Sequence, residues 1–255
     1  MDHAREGSMT DLDLDPDVLE SYIARFYGHG SYNARYWFIG MEFGGGGSLE
    51  EIVSRIQGWH ERGGKELEDL GPVGIGAGSG WFLPPYRLQP TWAKLIRIMM
   101  NAEGHDAGSE SIRAYQRDRL GREGGLDCIL ELLPLPSPGL GHWKFYPKIA
   151  DKHPRLEYLR NRKTYTSHVA PGRMAHLQAR IEEHRPLTVV FYGSGYRHWW
   201  QQIAGVQFVQ SSVDKVWTAR NAFTLFVMMK HPTARGVRKS YFDAVGRLIA
   251  DAQLP

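Results

Sequence analysis

Cysteine is nearly absent from this sequence, which has only Cys128 among its 255 residues. A disulfide needs two thiols and a cysteine-based zinc or iron–sulfur site needs several, so neither can form within the chain. The histidines mostly lack the paired spacing that is typical of a metal site. The sequence therefore predicts no bound metal and no iron–sulfur cluster.

Long hydrophobic runs are also absent. No stretch approaches the roughly 20 apolar residues of a membrane helix, and no charged-then-apolar leader opens the chain. We therefore expect a cytoplasmic protein with no membrane partner. The first residues, MDHAREGSM, partly resemble an expression-tag remnant, with Met9 as an alternative start. Residues 1–15 are predicted to be disordered and residues 16–255 to form a single domain.

Neither sign of charge is in large excess. The chain has 31 Lys and Arg against 28 Asp and Glu, a formal net charge of +3. This balance permits a nucleic-acid partner without requiring one. Aromatic residues make up 12% of the chain and include eight tryptophans. Such residues either fill a core or offer stacking surfaces to bases, so composition leaves both readings open.

Helix and strand patterns alternate along the chain. Apolar residues at helical spacing predict helices within residues 16–29, 48–62, 91–104, 167–185 and 240–252. Short apolar runs predict strands within residues 35–40, 126–136, 187–195, 215–221 and 224–232, and the Gly/Pro-rich residues 71–90 are predicted to be a loop. Apolar strands separated by helices favour an α/β fold with a mainly parallel sheet covered on both faces.

Polar side chains stand at the ends of four predicted strands. Glu42 follows the first strand, Glu131 lies at the end of the second, Ser194 follows the third, and His231 and Arg235 follow the fourth. Ligands of parallel sheets bind beyond the carboxyl ends of the strands, so we expect these residues to gather at one edge. Two carboxylates, a histidine and glycine-exposed amides suit general acid–base chemistry on a small polar group.

These strand ends, in this order, resemble the uracil-DNA glycosylase superfamily. The first loop, GMEFG at residues 40–44, is similar to the family's Gly-Met-Asn-Pro-Gly, and ILELLPLPSP resembles a strand that ends in Asn and a proline-rich turn. The last motif, HPTAR at residues 231–235, resembles the family's His-Pro-Ser. The resemblance covers residues 36–248, but only the first and last loops are distinctive.

The resemblance implies a fold and a reaction. The fold would be a three-layer α/β/α sandwich with a central, mainly parallel four-stranded sheet. The reaction would be hydrolysis of the N-glycosidic bond of a DNA base that is flipped out of the stack, with no cofactor. DNA is the implied partner, and we expect a monomer.

The first loop carries the implied catalytic carboxylate. Glu42 replaces the family's shorter Asp or Asn, which positions the attacking water, so the place of the water is left open. Met41, Phe43 and Gly44 would border the base, with Phe43 in place of the family's proline. Gly44 would leave room at the pyrimidine C5, where the uracil-only branch has a tyrosine. The alternatives are a solvated Glu42, plain packing of Phe43 and a flexible turn.

The second carboxylate would read the base. In the family an Asn at this strand end contacts the Watson–Crick edge. Glu131 would accept from the 4-amino group of a cytosine-type base, whereas an ionised carboxylate would oppose the O4 acceptor of uracil. The alternative is a structural Glu131 paired with an arginine at the sheet edge.

The remaining predicted site residues would hold the base or the DNA backbone. His231 would donate to the base O2 and stabilise the leaving base, or else be structural. Either Trp81 or Phe82 would stack on the base. The predicted DNA contacts, otherwise a solvated polar face, are Ser194, Arg197, Thr233, Arg235, Arg238 and Lys239.

Together these expectations describe a DNA glycosylase that acts on a cytosine with a bulky 5-substituent, such as phage glucosylated hydroxymethylcytosine, in anti-phage defence. The alternatives are repair of uracil or hypoxanthine, and a non-catalytic DNA-binding module on the same fold. An unrelated α/β hydrolase is a further alternative, although the chain lacks the Gly-x-Ser-x-Gly elbow of serine hydrolases.

Overall fold

The computed structural model describes residues 14–139 and 141–253. Most of the predicted disordered N-terminus, residues 1–13, lies outside the described residues. Leu14 is buried, and the Asp15 side chain accepts the backbone N–H of Asp17 at 2.8 Å as the N-cap of the first helix. Leu14 and Asp15 therefore belong to the folded part of the chain.

Helices and strands follow one another along the chain, in partial agreement with the sequence pattern. The helices are α1 (Pro16–Arg25), α2 (Leu49–Glu61), α3 (Leu70–Gly76), α4 (Trp92–Ala102), α5 (Ser109–Asp118), α6 (Tyr146–Lys152), α7 (Arg162–His184), α8 (Arg197–Ala204) and α9 (Lys239–Gln253). The strands are β1 (Gly28–Gly30), β2 (Tyr36–Glu42), β3 (Leu67–Glu68), β4 (Asp127–Leu133), β5 (Thr188–Tyr192), β6 (Val209–Gln210), β7 (Trp217–Arg220) and β8 (Leu225–Met229). Short 3₁₀ helices cover Pro154–Arg160 and Ser194–Tyr196.

The chain divides into two compact units. Unit 1 consists of Met1–Phe26, Glu42–Lys65 and Leu133–Ala170, and unit 2 of Tyr27–Met41, Glu66–Leu132 and Pro171–Pro255. In unit 1, α1 packs against α2, where the Tyr22 ring stacks on Phe26 and meets Trp59 edge-on. Unit 2 holds nearly all of the sheet.

The α/β class is confirmed, but the prediction of a mainly parallel four-stranded sheet is wrong. Within the described residues the sheet is mixed and has eight strands in the order β3-β1-β4-β2-β5-β8-β7-β6. Strands β2, β5 and β8 are parallel neighbours, while β7 pairs antiparallel with β8 and β1 pairs antiparallel with β4. Strands β1, β3 and β6 contain only two or three residues each, so they leave no apolar run that a sequence pattern could reveal.

Helices α3, α5 and α8 of unit 2 lie outside the sequence prediction. Helix α3 falls inside the segment predicted as a loop, because its Gly- and Pro-rich sequence has poor helix propensity. It forms because Asp69 caps it and Leu70 is buried against the rest of unit 2. Helix α5 is also additional, and it buries only Ile112 and Gln116.

The sheet of unit 2 is covered by helices on both faces. On one face, Tyr36 and Phe38 of β2 share a core cluster with residues of α4 and α9. On the other face, Phe191 of β5 stacks on Trp200 of α8 with ring centroids 5.2 Å apart. This two-sided burial explains why the central strands read as continuous apolar runs rather than as alternating ones.

Asp127 at the start of β4 is fully buried and gives a prediction about stability. Its carboxylate accepts the Tyr115 hydroxyl at 2.6 Å and the Gly121 backbone N–H at 2.8 Å, and burial raises the pKa of Asp127 to about 6. An unfolded aspartate titrates near ~3.9. Because the folded pKa lies above the unfolded one, the stabilising contribution is full below about pH 4 and is lost as the pH rises through 6.

We therefore expect the wild type to lose roughly 2 kcal/mol of unfolding free energy between pH 4 and pH 7 relative to Asp127→Asn, which does not titrate at this position. Urea unfolding of both proteins at several pH values measures this difference. A difference that does not vary with pH would contradict the assignment.

Candidate active site

Glu42 is the last residue of β2 and its carboxylate is buried. The side chain is only 12% exposed and pairs with the Arg162 guanidinium at the start of α7. Burial raises the pKa of Glu42, and the neighbouring Arg162 charge opposes that rise without cancelling it. This largely buried position disagrees with a solvated loop carboxylate, and the raised pKa makes the carboxylate a stronger base than a solvated glutamate.

Arg162 is a site residue that the sequence analysis missed. Its guanidinium lies 5.7 Å from the centre of the Trp143 ring, which packs against Tyr146 and Tyr165. Its Nη1 nitrogen is buried and has no hydrogen-bond partner within residues 14–139 and 141–253. Glu42 and Arg162 are 120 positions apart in the chain, so no local pattern could have joined them.

The glycines after Glu42 have different roles. Gly45 and Gly46 adopt left-handed φ values of 101° and 75°, and a Cβ on Gly46 would come within 2.6 Å of the Pro136 carbonyl oxygen. These positions therefore require glycine to build the turn. A Cβ on Gly44 would meet nothing within 4 Å, and Gly44 is exposed. The space beside Gly44 is open, and neither the backbone conformation nor a close neighbour requires glycine at this position.

The rest of this loop is fixed by local contacts. The predicted cap of α2 is confirmed, since the Ser48 hydroxyl accepts the Glu51 backbone N–H at 3.2 Å, and the Glu51 carboxylate accepts from Gly47 at 3.0 Å. The Phe43 ring lies 5.5 Å from Phe26 and thus takes part in packing. A capped helix start and a packed Phe43 hold both ends of the glycine loop.

In unit 2, Glu131 lies under Gly40 of β2. Its side chain is buried, and the Tyr192 hydroxyl donates to Oε1 at 2.6 Å. A Cβ on Gly40 would come within 2.4 Å of both the Tyr192 phenol and the Glu131 carboxylate, so glycine is needed for this close approach. Burial raises the pKa of Tyr192 well above its ordinary value, which keeps the phenol a donor.

The backbone beside Glu131 is held by a buried arginine. The Arg173 guanidinium donates to the carbonyl oxygens of Leu132 at 2.5 Å and Glu131 at 3.0 Å, and it lies 3.8 Å from the centre of the Tyr27 ring. An arginine therefore does lie beside Glu131, as the structural alternative expects, and these bonds go to main-chain atoms. The strand that carries Glu131 is rigidly positioned as a result.

His231 follows β8 in a defined tautomer. Its Nδ1 accepts the Thr233 backbone N–H at 3.2 Å and lies 2.9 Å from the Thr233 hydroxyl, so a neutral ring carries its proton on Nε2. Burial, and then the Lys94 charge, lower the pKa of His231. Lys94 donates to the Pro232 carbonyl at 2.6 Å, and the Tyr192 ring lies 5.5 Å from the imidazole. Tyr192 thus contacts both Glu131 and His231.

The two candidate stacking residues differ in exposure. Phe82 is 4% exposed and belongs to a core cluster with Leu70 and Ile96. Trp81 is 39% exposed and rests edge-on against Trp92 at 5.2 Å. Trp81 therefore has the more accessible ring of the two.

The other predicted site residues lie mostly at the surface of unit 2. Arg197 opens α8 and lies 5.4 Å from the Trp217 ring centre, and Ser194 follows Gly193. Met41 is buried. The exposed predicted contacts after β8 are Thr233, Arg235, Arg238 and Lys239. The three exposed cations among them, Arg235, Arg238 and Lys239, are of the charge that suits an anionic partner.

Unit 2 brings together Gly40, Glu131, Tyr192 and His231 from the ends of four strands. Glu42, Phe43 and Gly44 belong to unit 1. Tyr192 and Lys94 were missed by the sequence analysis. Tyr192 stands two residues before the predicted site residue Ser194, so its place at the strand end was readable from the sequence, but its bond to Glu131 was not.

No protein-family model matches the chain, and no curated protein matches it significantly. Among the described residues, no helix is both long and apolar enough to span a membrane. Within the same residues, no group of three or more histidine, cysteine or acidic side chains is arranged to hold a metal ion.

Proposed function

We propose that this protein is a DNA glycosylase of the uracil-DNA glycosylase type that removes a modified cytosine. The observation that carries the proposal is the cluster at the strand ends of unit 2. There, Tyr192 links Glu131 to His231 beneath Gly40. A buried carboxylate, a phenol and a neutral imidazole form a set of hydrogen-bonding groups that suits the edge of a flipped base.

His231 would stabilise the leaving base. The C1′–N bond breaks and its electron pair passes to the base, so negative charge develops on the base O2. With Nδ1 occupied by Thr233, the Nε2–H is the donor that meets this charge. The Lys94 charge and the burial that lower the pKa of His231 favour this neutral form.

Glu42 would act on the sugar. A carboxylate at the end of β2 stabilises the positive charge that develops on the deoxyribose, and it orients the water that adds to C1′. The proton of that water passes to the carboxylate. The raised pKa of Glu42 makes it a better proton acceptor than a solvated glutamate.

The hydrogen-bonding capacity of Glu131 favours a cytosine-type base as the substrate. Tyr192 donates to Oε1, which identifies that oxygen as an acceptor. A carboxylate matches the 4-amino donor of cytosine and opposes the O4 acceptor of uracil. The resemblance assigns the C5 substituent to the position of Gly44, where an added Cβ would meet nothing within 4 Å. Unmodified cytosine is excluded as a target because its removal would destroy the host genome, so phage glucosylated hydroxymethylcytosine, and hence anti-phage defence, fits best.

A panel of DNA duplexes tests this substrate choice. Each carries one glucosylated hydroxymethylcytosine, hydroxymethylcytosine, cytosine, uracil or hypoxanthine, and alkali reveals abasic sites. We expect strand breaks at the two 5-substituted cytosines and none at cytosine, uracil or hypoxanthine. Breaks at uracil would contradict the reading of Glu131 and favour repair. Binding to every duplex without any break would favour a non-catalytic module.

A further inference from the structure

The ion pair between Glu42 and Arg162 is largely shielded from solvent. The two side chains are 12% and 17% exposed, so both charges are largely withdrawn from water. Breaking a buried pair by removing one partner leaves an uncompensated charge, which costs far more than the loss of a surface pair. The contact therefore fixes the carboxylate more firmly than a surface ion pair would.

The start of α7 is an unfavourable place for this arginine. Arg162 and Lys163 occupy the first turn, which contains no acidic residue. The positive end of the helix dipole disfavours cations there. Helix stability thus does not account for Arg162, whereas its contact with Glu42 does.

The aromatic residues of unit 1 set the direction of Arg162. The guanidinium lies 5.7 Å from the Trp143 ring centre, and Trp143 is itself held by a 2.8 Å hydrogen bond from its indole N–H to the Leu159 carbonyl. Tyr146 and Tyr165 pack against the same ring at 4.3 and 4.8 Å. A planar guanidinium that rests on an aromatic face has few rotamers, so it presents a fixed donor to the carboxylate.

We propose that Arg162 is the positioning residue of Glu42, and that it holds the carboxylate in one orientation and in its charged form. The proposal rests on the catalytic role proposed for Glu42. Arg162 needs no contact with the base or the sugar to act in this way.

The charges around Glu42 determine the sign of the expected pH effect. Burial raises the pKa of Glu42 and Arg162 opposes it. From α6, burial raises the pKa of the Tyr146 phenol, and the Glu42 charge adds a smaller contribution to that rise. From α2, Arg55 donates to the Gly44 carbonyl at 3.3 Å. Loss of the Arg162 charge therefore moves the pKa of Glu42 upward, and excision that needs the carboxylate is lost at low pH.

Single-turnover excision across pH 5 to 9 tests the proposal with Arg162→Gln and Arg162→Lys. We expect Arg162→Gln to be slowed, relative to wild type, at least about 10-fold more at pH 6 than at pH 9, because each unit by which the pKa of Glu42 rises costs tenfold below that pKa. Arg162→Lys keeps the charge but loses the planar guanidinium. Its excision rate should therefore be lower than that of wild type by a factor that does not vary with pH. A merely structural role would slow Arg162→Gln equally at all pH values and would overturn the proposal.

The matched control is Arg160→Gln. Arg160 is half-exposed and pairs with Asp151 and Glu157 at the surface of unit 1. Its loss should leave the profile unchanged. A shift of the profile as large as that of Arg162→Gln would overturn the proposal, since it would show a general charge effect.

A second measurement does not depend on excision. Carbon-13 NMR of labelled glutamate carboxyls, with the Glu42 signal assigned from Glu42→Gln, follows its titration directly. We expect the midpoint to move to higher pH in Arg162→Gln and to stay in place in Arg160→Gln. An unmoved midpoint overturns the role of Arg162. A moved midpoint in a protein that excises no base supports that role and refutes the proposed function instead.

Discussion

Replacement of Glu42 by glutamine is expected to slow base excision by about 10²- to 10⁴-fold, the range that a positioned general base contributes. The amide cannot take the proton of the attacking water and carries no charge to oppose the developing positive sugar. The side chain keeps nearly the same shape, so affinity for the substrate DNA should persist. Single-turnover cleavage and DNA binding, measured on the same duplex, separate these two effects.

The ion pair with Arg162 means that Glu42→Gln is expected to change stability as well as the excision rate. Glu42→Gln leaves the buried Arg162 charge without its carboxylate, which should destabilise the fold by roughly 3–5 kcal/mol. Rates therefore need to be taken well below the unfolding temperature, with the folded fraction measured. Glu42→Asp is the useful companion, because it keeps the charge and shortens the side chain by one methylene, as in the resembled family. We expect it to be faster than Glu42→Gln, and equal excision by Glu42→Gln and wild type would refute the catalytic role.

The sequence predicted local features better than distant ones. The cap of α2 depends on residues three positions apart, Ser48 and Glu51, and was readable directly. The central strands β2, β5 and β8 were readable because burial on both faces leaves continuous apolar runs. The extra strands β1, β3 and β6 depend on pairing with neighbours, and their two or three residues carry no periodicity.

The candidate site shows the same difference between local features and distant contacts. Glu42, Glu131 and His231 were found because each stands at or near the end of a predicted strand, where ligands of parallel sheets bind. Their partners were not found, because Arg162 and Tyr192 lie 120 and 61 positions away from the carboxylates that they contact. No sequence pattern records which distant side chain compensates a buried charge, and only the packed fold supplies that information.

Gly44→Tyr is expected to change substrate choice rather than stability. A Cβ at this position meets nothing within 4 Å and the residue is exposed, so the new side chain can be accommodated without displacing its neighbours. Gly45 and Gly46, with their left-handed φ values, would not tolerate the same change. The free energy of unfolding of Gly44→Tyr, measured by thermal unfolding, should therefore lie within about 0.5 kcal/mol of the wild-type value.

The ring of Gly44→Tyr would occupy the open space that we assign to the C5 substituent. We expect excision of glucosylated hydroxymethylcytosine to fall by about 100-fold more than excision of any smaller 5-substituted cytosine that the wild type removes. This is the discrimination that a steric clash of a few kcal/mol provides. Gly44→Ala, which adds only a methyl group, should behave like wild type. Equal losses on large and small substituents would show that the glycine loop does not border the base, and the open space would then serve only the turn before α2.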